Sequence, residues 1–143
     1  LKEGRTILYI THKLEEVIRI VDHCNDMPAA YMLADVVVSA SIEPEGFGRV
    51  IVEAQALGRP VVATNHGGAK ETVIEGKTGW LIPPHNVRAL SNAIELALSL
   101  SESERKAFFQ KGIENVYENF SKEEMCAKTL TVYNEVLQSK TLI

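Results

Sequence analysis

The middle of the chain alternates between unbroken β-branched runs and helical spacing. Asp35 leads into Val36-Val37-Val38-Ser39-Ala40. Such a continuous run suits a strand buried on both faces of a parallel sheet. Ser41 to Gly48 follows as a loop of turn formers, in which Pro44 drives Glu43 out of the helical region. From Arg49 the spacing turns helical: Val50, Ala54 and Leu57 stand at i, i+4 and i+7, and Gly58 and Pro60 stop the segment. Pro60 to Thr64 repeats the strand pattern. Asn65-His66-Gly67-Gly68 forms a second loop, and a second helix runs from Ala69 to Ile74. Gly76 to Gly79 reads as a turn and Trp80-Leu81-Ile82 as the next strand.

The flanks are plainer. Asp26-Met27-Pro28 opens a short helix, with Pro28 at its first position and Asp26 as its cap. It carries Tyr31, Met32 and Leu33 and ends near Ala34. Before it, Thr6 to Thr11 is β-rich by propensity, yet Ile7, Ile10, Leu14 and Val17 recur with helical spacing. Beyond the strands, Asn86 caps a helix with Val87, Leu90, Ile94 and Leu98 on one stripe. Ser101 and Glu104 form a capping box ahead of Phe109, Ile113, Val116 and Phe120. Ser121 and Glu124 form another, ahead of Cys126, Leu130, Tyr133 and Leu137. There is no internal repeat, no Gly, Ser or Pro-rich linker and no sustained heptad. The alternation of strands and helices predicts an α/β fold with a parallel sheet and flanking helices.

Length and charge narrow the function. A chain of 143 residues suits a single domain, spanning 1–143, with a real core. Its net charge of −4, with no basic run, argues against a nucleic-acid binder and against a polybasic membrane patch. No apolar stretch approaches the roughly 20 residues of a membrane span. Cys24 and Cys126 lack metal-ligand spacing and read as two reduced thiols in a cytoplasmic protein. There is no signal-peptide pattern, and the first residue, Leu1, suggests a fragment of a longer chain. His12 and His23 carry no partner pattern and read as solvated.

The candidate chemistry lies in Ser41 to Gly58. A Gly-rich loop entering a helix is a ready anion site, because the first amides lack partners and the helix dipole favours negative charge. Glu45 belongs to the loop and Glu53 to the helix, about one turn in. Glu53 could accept hydrogen bonds from vicinal ribose hydroxyls. It equally reads as an acid complementing the helix dipole, with Glu45 merely solvated, since Gly-rich loops are weak signals. Gly67-Gly68 at the next strand end converges on the same sheet edge and fits a diphosphate plus sugar, or serves only as turn chemistry. His66 could approach a phosphate or sugar hydroxyl but reads first as solvated. Trp80 could stack on a base or fill the core.

Glu45-Gly46-Phe47-Gly48 followed by Glu53 resembles the signature of retaining, nucleotide-sugar-dependent glycosyltransferases of the glycosyl transferases group 1 (family 4) type, with the GT-B architecture of two Rossmann-like domains. Ala34-Asp35-Val36-Val37-Val38 and Gly58-Arg59-Pro60-Val61-Val62-Ala63-Thr64 flank it in the family's order. Gly67-Gly68, Glu71 and Gly76-Lys77-Thr78-Gly79-Trp80-Leu81-Ile82-Pro83 continue that order. The resemblance is strong from about Val17 to Ala97 and weak beyond. Family order then favours a helix from Tyr9 to Glu16 and a strand over Val17 to Val21.

The resemblance implies the donor-binding C-terminal domain, truncated at its N-terminal side and lacking the acceptor domain. It also implies transfer of a hexose, with retention, from a nucleotide diphosphate sugar to a glycan or lipid acceptor, in lipopolysaccharide or other cell-envelope synthesis. Glu45 would hold the sugar or face the reacting centre. Gly46, Phe47, Gly48, Arg49, Val50, Gly67 and Gly68 would bind the donor, and Glu53 the ribose. The family's diphosphate-neutralising Arg and Lys have no match here. No metal or other cofactor is implied. The enzyme would be cytoplasmic, working at the inner face of the membrane if its acceptor is a lipid, and this fragment would be inactive alone. The alternatives are a non-catalytic remnant or binding module of a split gene, and a GT-B-fold nucleotide-sugar epimerase. Base, sugar and acceptor stay open.

Overall fold

The computed structural model describes residues 6–9 and 24–140. Four strands, β1 (Ile7–Tyr9), β2 (Val36–Ser39), β3 (Val61–Thr64) and β4 (Gly79–Ile82), form one all-parallel sheet in the order β1-β2-β3-β4. Val37 pairs with Leu8 on one side and Val61 on the other, and Val62 pairs with Trp80. Every residue of β2 and β3 is buried. The unbroken β-branched runs therefore have the cause expected of them, cover on both faces. Among the described residues there are six helices: α1 (Met27–Leu33), α2 (Arg49–Ala56), α3 (Ala69–Thr72), α4 (Val87–Ser99), α5 (Glu102–Phe120) and α6 (Lys122–Lys140).

Two cores lie back to back, because successive strand side chains point to opposite faces. Val37, Val61 and Ala63 pack with Tyr31 of α1, Ile51 and Ala54 of α2, and Ala69 of α3. Val36, Val38, Val62, Trp80 and Ile82 pack with Ala93 and Ala97 of α4. The α4 stripe differs from the expected one. Val87 is exposed and Leu90, Ile94 and Leu98 only flank the core, whereas Ala93 and Ala97 make its centre. Small side chains there let the helix approach the sheet closely. Asn86 caps α4 by accepting from the Ala89 amide at 2.9 Å.

At the N-terminal end, propensity rather than family order accounts for what is seen. Ile7–Tyr9 is a strand, so a helix does not begin at Tyr9. The rest of that expected helix, the strand over 17–21, His12 and His23 lie outside the described residues. Helix α1 begins at Met27 with Pro28 second rather than first, capped as expected by Asp26, whose carboxylate accepts from the Ala29 amide at 3.0 Å. Helix α3 is shorter than expected, ending at Thr72, where Val73 turns extended.

Helix α5 braces the site. The Ser101–Glu104 capping box is present in both directions, the Ser101 amide donating to Glu104 at 2.7 Å and the Glu104 amide to Ser101 Oγ at 3.3 Å. Arg105 donates to the Leu98 and Leu100 carbonyls and to Asp35, tying the helix start to the end of α4 and the foot of β2. The expected stripe of Phe109, Ile113, Val116 and Phe120 is not the buried face. Gly112 and Asn115 are the buried residues instead. A Cβ on Gly112 would meet the Gln55 carbonyl at 2.9 Å. The Asn115 amide donates to Gln55 Oε1 at 3.0 Å and to the Thr72 carbonyl at 3.1 Å, while Gln55 Nε2 donates to that carbonyl at 2.9 Å. Apolar periodicity is blind to a face built from glycine and amides. In α6, the Glu124 amide donates to Ser121 Oγ at 3.3 Å, one half of the second capping box. Cys126, Leu130, Tyr133 and Leu137 are exposed, so α6 does not pack on the sheet.

Candidate functional site

The C-terminal ends of β2 and β3 lie side by side, with a long 3.5 Å contact from Thr64 Oγ1 to the Ser39 carbonyl. They deliver loops 40–48 and 65–68 to one edge, where open α/β sheets bind ligands. The two loops are in backbone contact. The Gly68 amide donates to the Glu45 carbonyl at 2.9 Å. A Cβ on Gly68 would stand 2.6 Å from the Phe47 carbonyl oxygen, and one on Gly67 would strike the Glu45 backbone. Any side chain at either position would force the loops apart. A second hydrogen bond joins them, His66 Nε2 at 2.8 Å from the Ser41 carbonyl. A carbonyl only accepts, so Nε2 carries the proton. His66 is thus a latch between loops rather than a solvated residue.

Gly48 closes the first loop with φ +73, the left-handed conformation that glycine adopts most cheaply, and it caps α2 with no side-chain bond. The first described bond into the helix runs from the Ile51 amide to the Gly48 carbonyl. The amides of Arg49 and Val50 precede it and have no acceptor among the described residues, as the first amides of a helix lack partners within it. At the second loop Lys70 donates to Gly67, and Glu71 and Thr72 to Gly68, while the Gly67 and Ala69 amides have no described acceptor. Gly67 and Gly68 hold the two loops in contact.

Glu45 is half-buried and lines a recess with Ser39, Ser41, Gly48, Ile51, Thr64, His66 and Ala69. The recess is shallow and open on one side, with room of its own for about one water, about 10 Å³. Gly46 is open, and a Cβ placed there would meet nothing within 4 Å. Phe47 is 46% exposed and packs edge-on against Phe120 at the end of α5, with ring centroids 5.8 Å apart.

Glu53 stands apart from the recess, in the second turn of α2. The first turn holds no acid, so complementing the dipole does not account for it. Its Oε1 accepts from Arg49 at 3.1 Å and its Oε2 from the Tyr31 hydroxyl at 3.0 Å. Burial first, and then the bond to Glu53, push the Tyr31 phenol well above its ordinary pKa. Sequence reasoning reads Tyr31 only as a helix residue and leaves the His66–Ser41 latch out. These partners are 22 and 25 residues apart, and no local signal joins them. Trp80 is core, stacked on Phe108 at 4.9 Å. Among the described residues no cluster of metal-ligating side chains is present, and no helix is long and apolar enough to cross a membrane.

Comparison with known proteins places the fold. The glycosyltransferase from Rickettsia africae ESF-5 superposes with a TM-score of 0.74 at 40% identity, over 80% of this chain and 30% of that one. Anabaena Alr3699/HepE, solved in complex with UDP, gives 0.65 at 28% identity, over 84% and 31%. The capsular polysaccharide biosynthesis glycosyltransferase CapM of Staphylococcus aureus is 33% identical over 119 residues, 83% of this chain and 31% of the relative. The chain thus spans under a third of the length of these relatives. Residues 8–115 match the family described as glycosyl transferases group 1. With most of its sheet, both loops and the glutamate pair inside that match, the chain belongs to the glycosyl transferases group 1 family.

Proposed function

We propose that this chain binds the nucleoside diphosphate of an activated sugar and supplies the donor side of a retaining sugar transfer. The observation that carries the reading is the arrangement around α2. Its free amides face the loop edge, Glu45 lies in the recess beside them, and Glu53 is held by two donors one turn further on. The amides of Arg49 and Val50 face the diphosphate, and the vicinal ribose hydroxyls donate to Glu53. The sugar lies toward Glu45, across Phe47 and Gly46. When the bond from the anomeric carbon to the phosphate oxygen breaks, the electron pair stays on that oxygen, and positioned donors aimed at it lower the barrier. Arg49, whose side chain is 84% exposed and paired with Glu53, adds a positive charge near the same helix start. The acceptor, a glycan or lipid of the cell envelope, belongs to a part of the enzyme outside this chain. Its chemistry is supported by the capsular polysaccharide relative, and a lipid acceptor would place the whole enzyme at the inner face of the membrane.

Calorimetric titration of the chain with UDP, GDP and ADP tests this. One of them is expected to bind, and Glu53→Ala to weaken it about tenfold or more, the scale of a hydrogen bond to a charged group. Equal binding by Glu53→Ala, or no binding of any of the three, would overturn the reading.

A further inference from the structure

We propose that Tyr31 is the positioning residue of the ribose site: its hydroxyl fixes the Glu53 carboxylate in the orientation that two vicinal hydroxyls require. This rests on the reading of Glu53 given above. Nothing on α2 itself fixes that carboxylate. Glu53 is 39% exposed at its side chain, and its helical neighbour Arg49 is largely in solvent. Exposed pairs of that kind hold a geometry weakly. Tyr31 is the opposite case. It is the one buried residue of α1, 1% exposed, and its ring sits in the core beside Ile51 and Ala54. A ring seated there has one place to put its oxygen, and that place is 3.0 Å from Glu53 Oε2.

The lone-pair count agrees. A carboxylate offers about four acceptor positions. Tyr31 takes one on Oε2 and Arg49 one on Oε1, which leaves one on each oxygen for a pair of adjacent hydroxyls. Because the phenol remains protonated over the whole physiological range, it is a permanent donor. It also keeps the second helix turn in register with the loop edge, since α1 and α2 share one core cluster. Tyr31 touches no substrate; it acts through Glu53.

A merely structural tyrosine would change stability and nothing else, so the test reads ribose discrimination. Whichever of UDP, GDP and ADP binds best is titrated calorimetrically, alongside its 2′,3′-dideoxy form, into wild type, Tyr31→Phe and Glu53→Gln. Tyr31→Phe removes one oxygen and leaves the buried ring, and far-ultraviolet circular dichroism checks its fold. Wild type is expected to prefer the ribonucleotide by about tenfold or more, and both variants to lose most of that preference, to within about threefold. Discrimination kept by Tyr31→Phe but lost by Glu53→Gln would overturn the role of Tyr31 and leave Glu53 standing. Wild type that does not discriminate, or discriminates unchanged with Glu53→Gln, would overturn the Glu53 reading and this proposal with it, as would the absence of nucleotide binding.

Discussion

Tyr31 holds its phenolic proton more tightly in the folded chain than in the unfolded one. A raised folded pKa gives stability that is complete below the ordinary phenol value of 10.0 and declines as pH rises beyond it, while only the unfolded state ionises. Urea unfolding of the wild type is therefore expected to lose stability more steeply above pH 10 than Tyr31→Phe does. Parallel curves would show that the phenol is not held as described. Among single residues, legibility follows chain distance. Glu45, Gly48 and Glu53 lie within one loop and one helix, so their spacing announces them. Tyr31 with Glu53, and His66 with Ser41, become partners only when the sheet brings them together. Gly67 and Gly68 are visible in the sequence as turn residues. Their cause, the backbones of Glu45 and Phe47 lying against them, is not.

Among the elements, α5 shows where pattern reading stops. Its start is legible, because a capping box is local chemistry. Its buried face is not, because the chain marks that face with Gly112 and Asn115 while placing Phe109 and Ile113 toward solvent. The contacts explain the choice: glycine admits the Gln55 backbone, and an amide satisfies Gln55 Oε1 in a buried position. Asn115→Ala is expected to cost about 1–3 kcal/mol, the penalty of an orphaned buried acceptor. Chemical denaturation measures it, and a loss well below that range would mean that water or a shifted Gln55 replaces the amide. The Thr72 carbonyl keeps its bond from Gln55 Nε2, so the loss is confined to one group.

Across the whole molecule, the parallel sheet and its two covered faces are readable from the β-branched runs alone, since an unbroken run such as Val36 to Val38 has no polar face to leave in water. The exception is β1, where propensity and helical spacing disagree and pairing with β2 decides for the strand. Helix α6 lies outside both cores. Its described residues are exposed but for Glu124, and its main neighbour is α5. Removing 122–143 is expected to leave the melting temperature within a few degrees of the whole chain, because none of its described residues belongs to either core. A large fall on thermal denaturation would show that α6 stabilises the fold by contacts beyond those seen.

The chain has a single tryptophan. Trp80 sits near the N-terminal end of β4, on the α4 side of the sheet, with its ring on Phe108. The loop edge is at the other end of the strands. Intrinsic fluorescence is therefore a gauge of how α5 seats against the sheet, and it is insensitive to events at the loops. Emission will report unfolding faithfully and stay silent while a ligand comes and goes. An optical assay of binding needs a label near Phe47, whose exposed ring marks the place to put one.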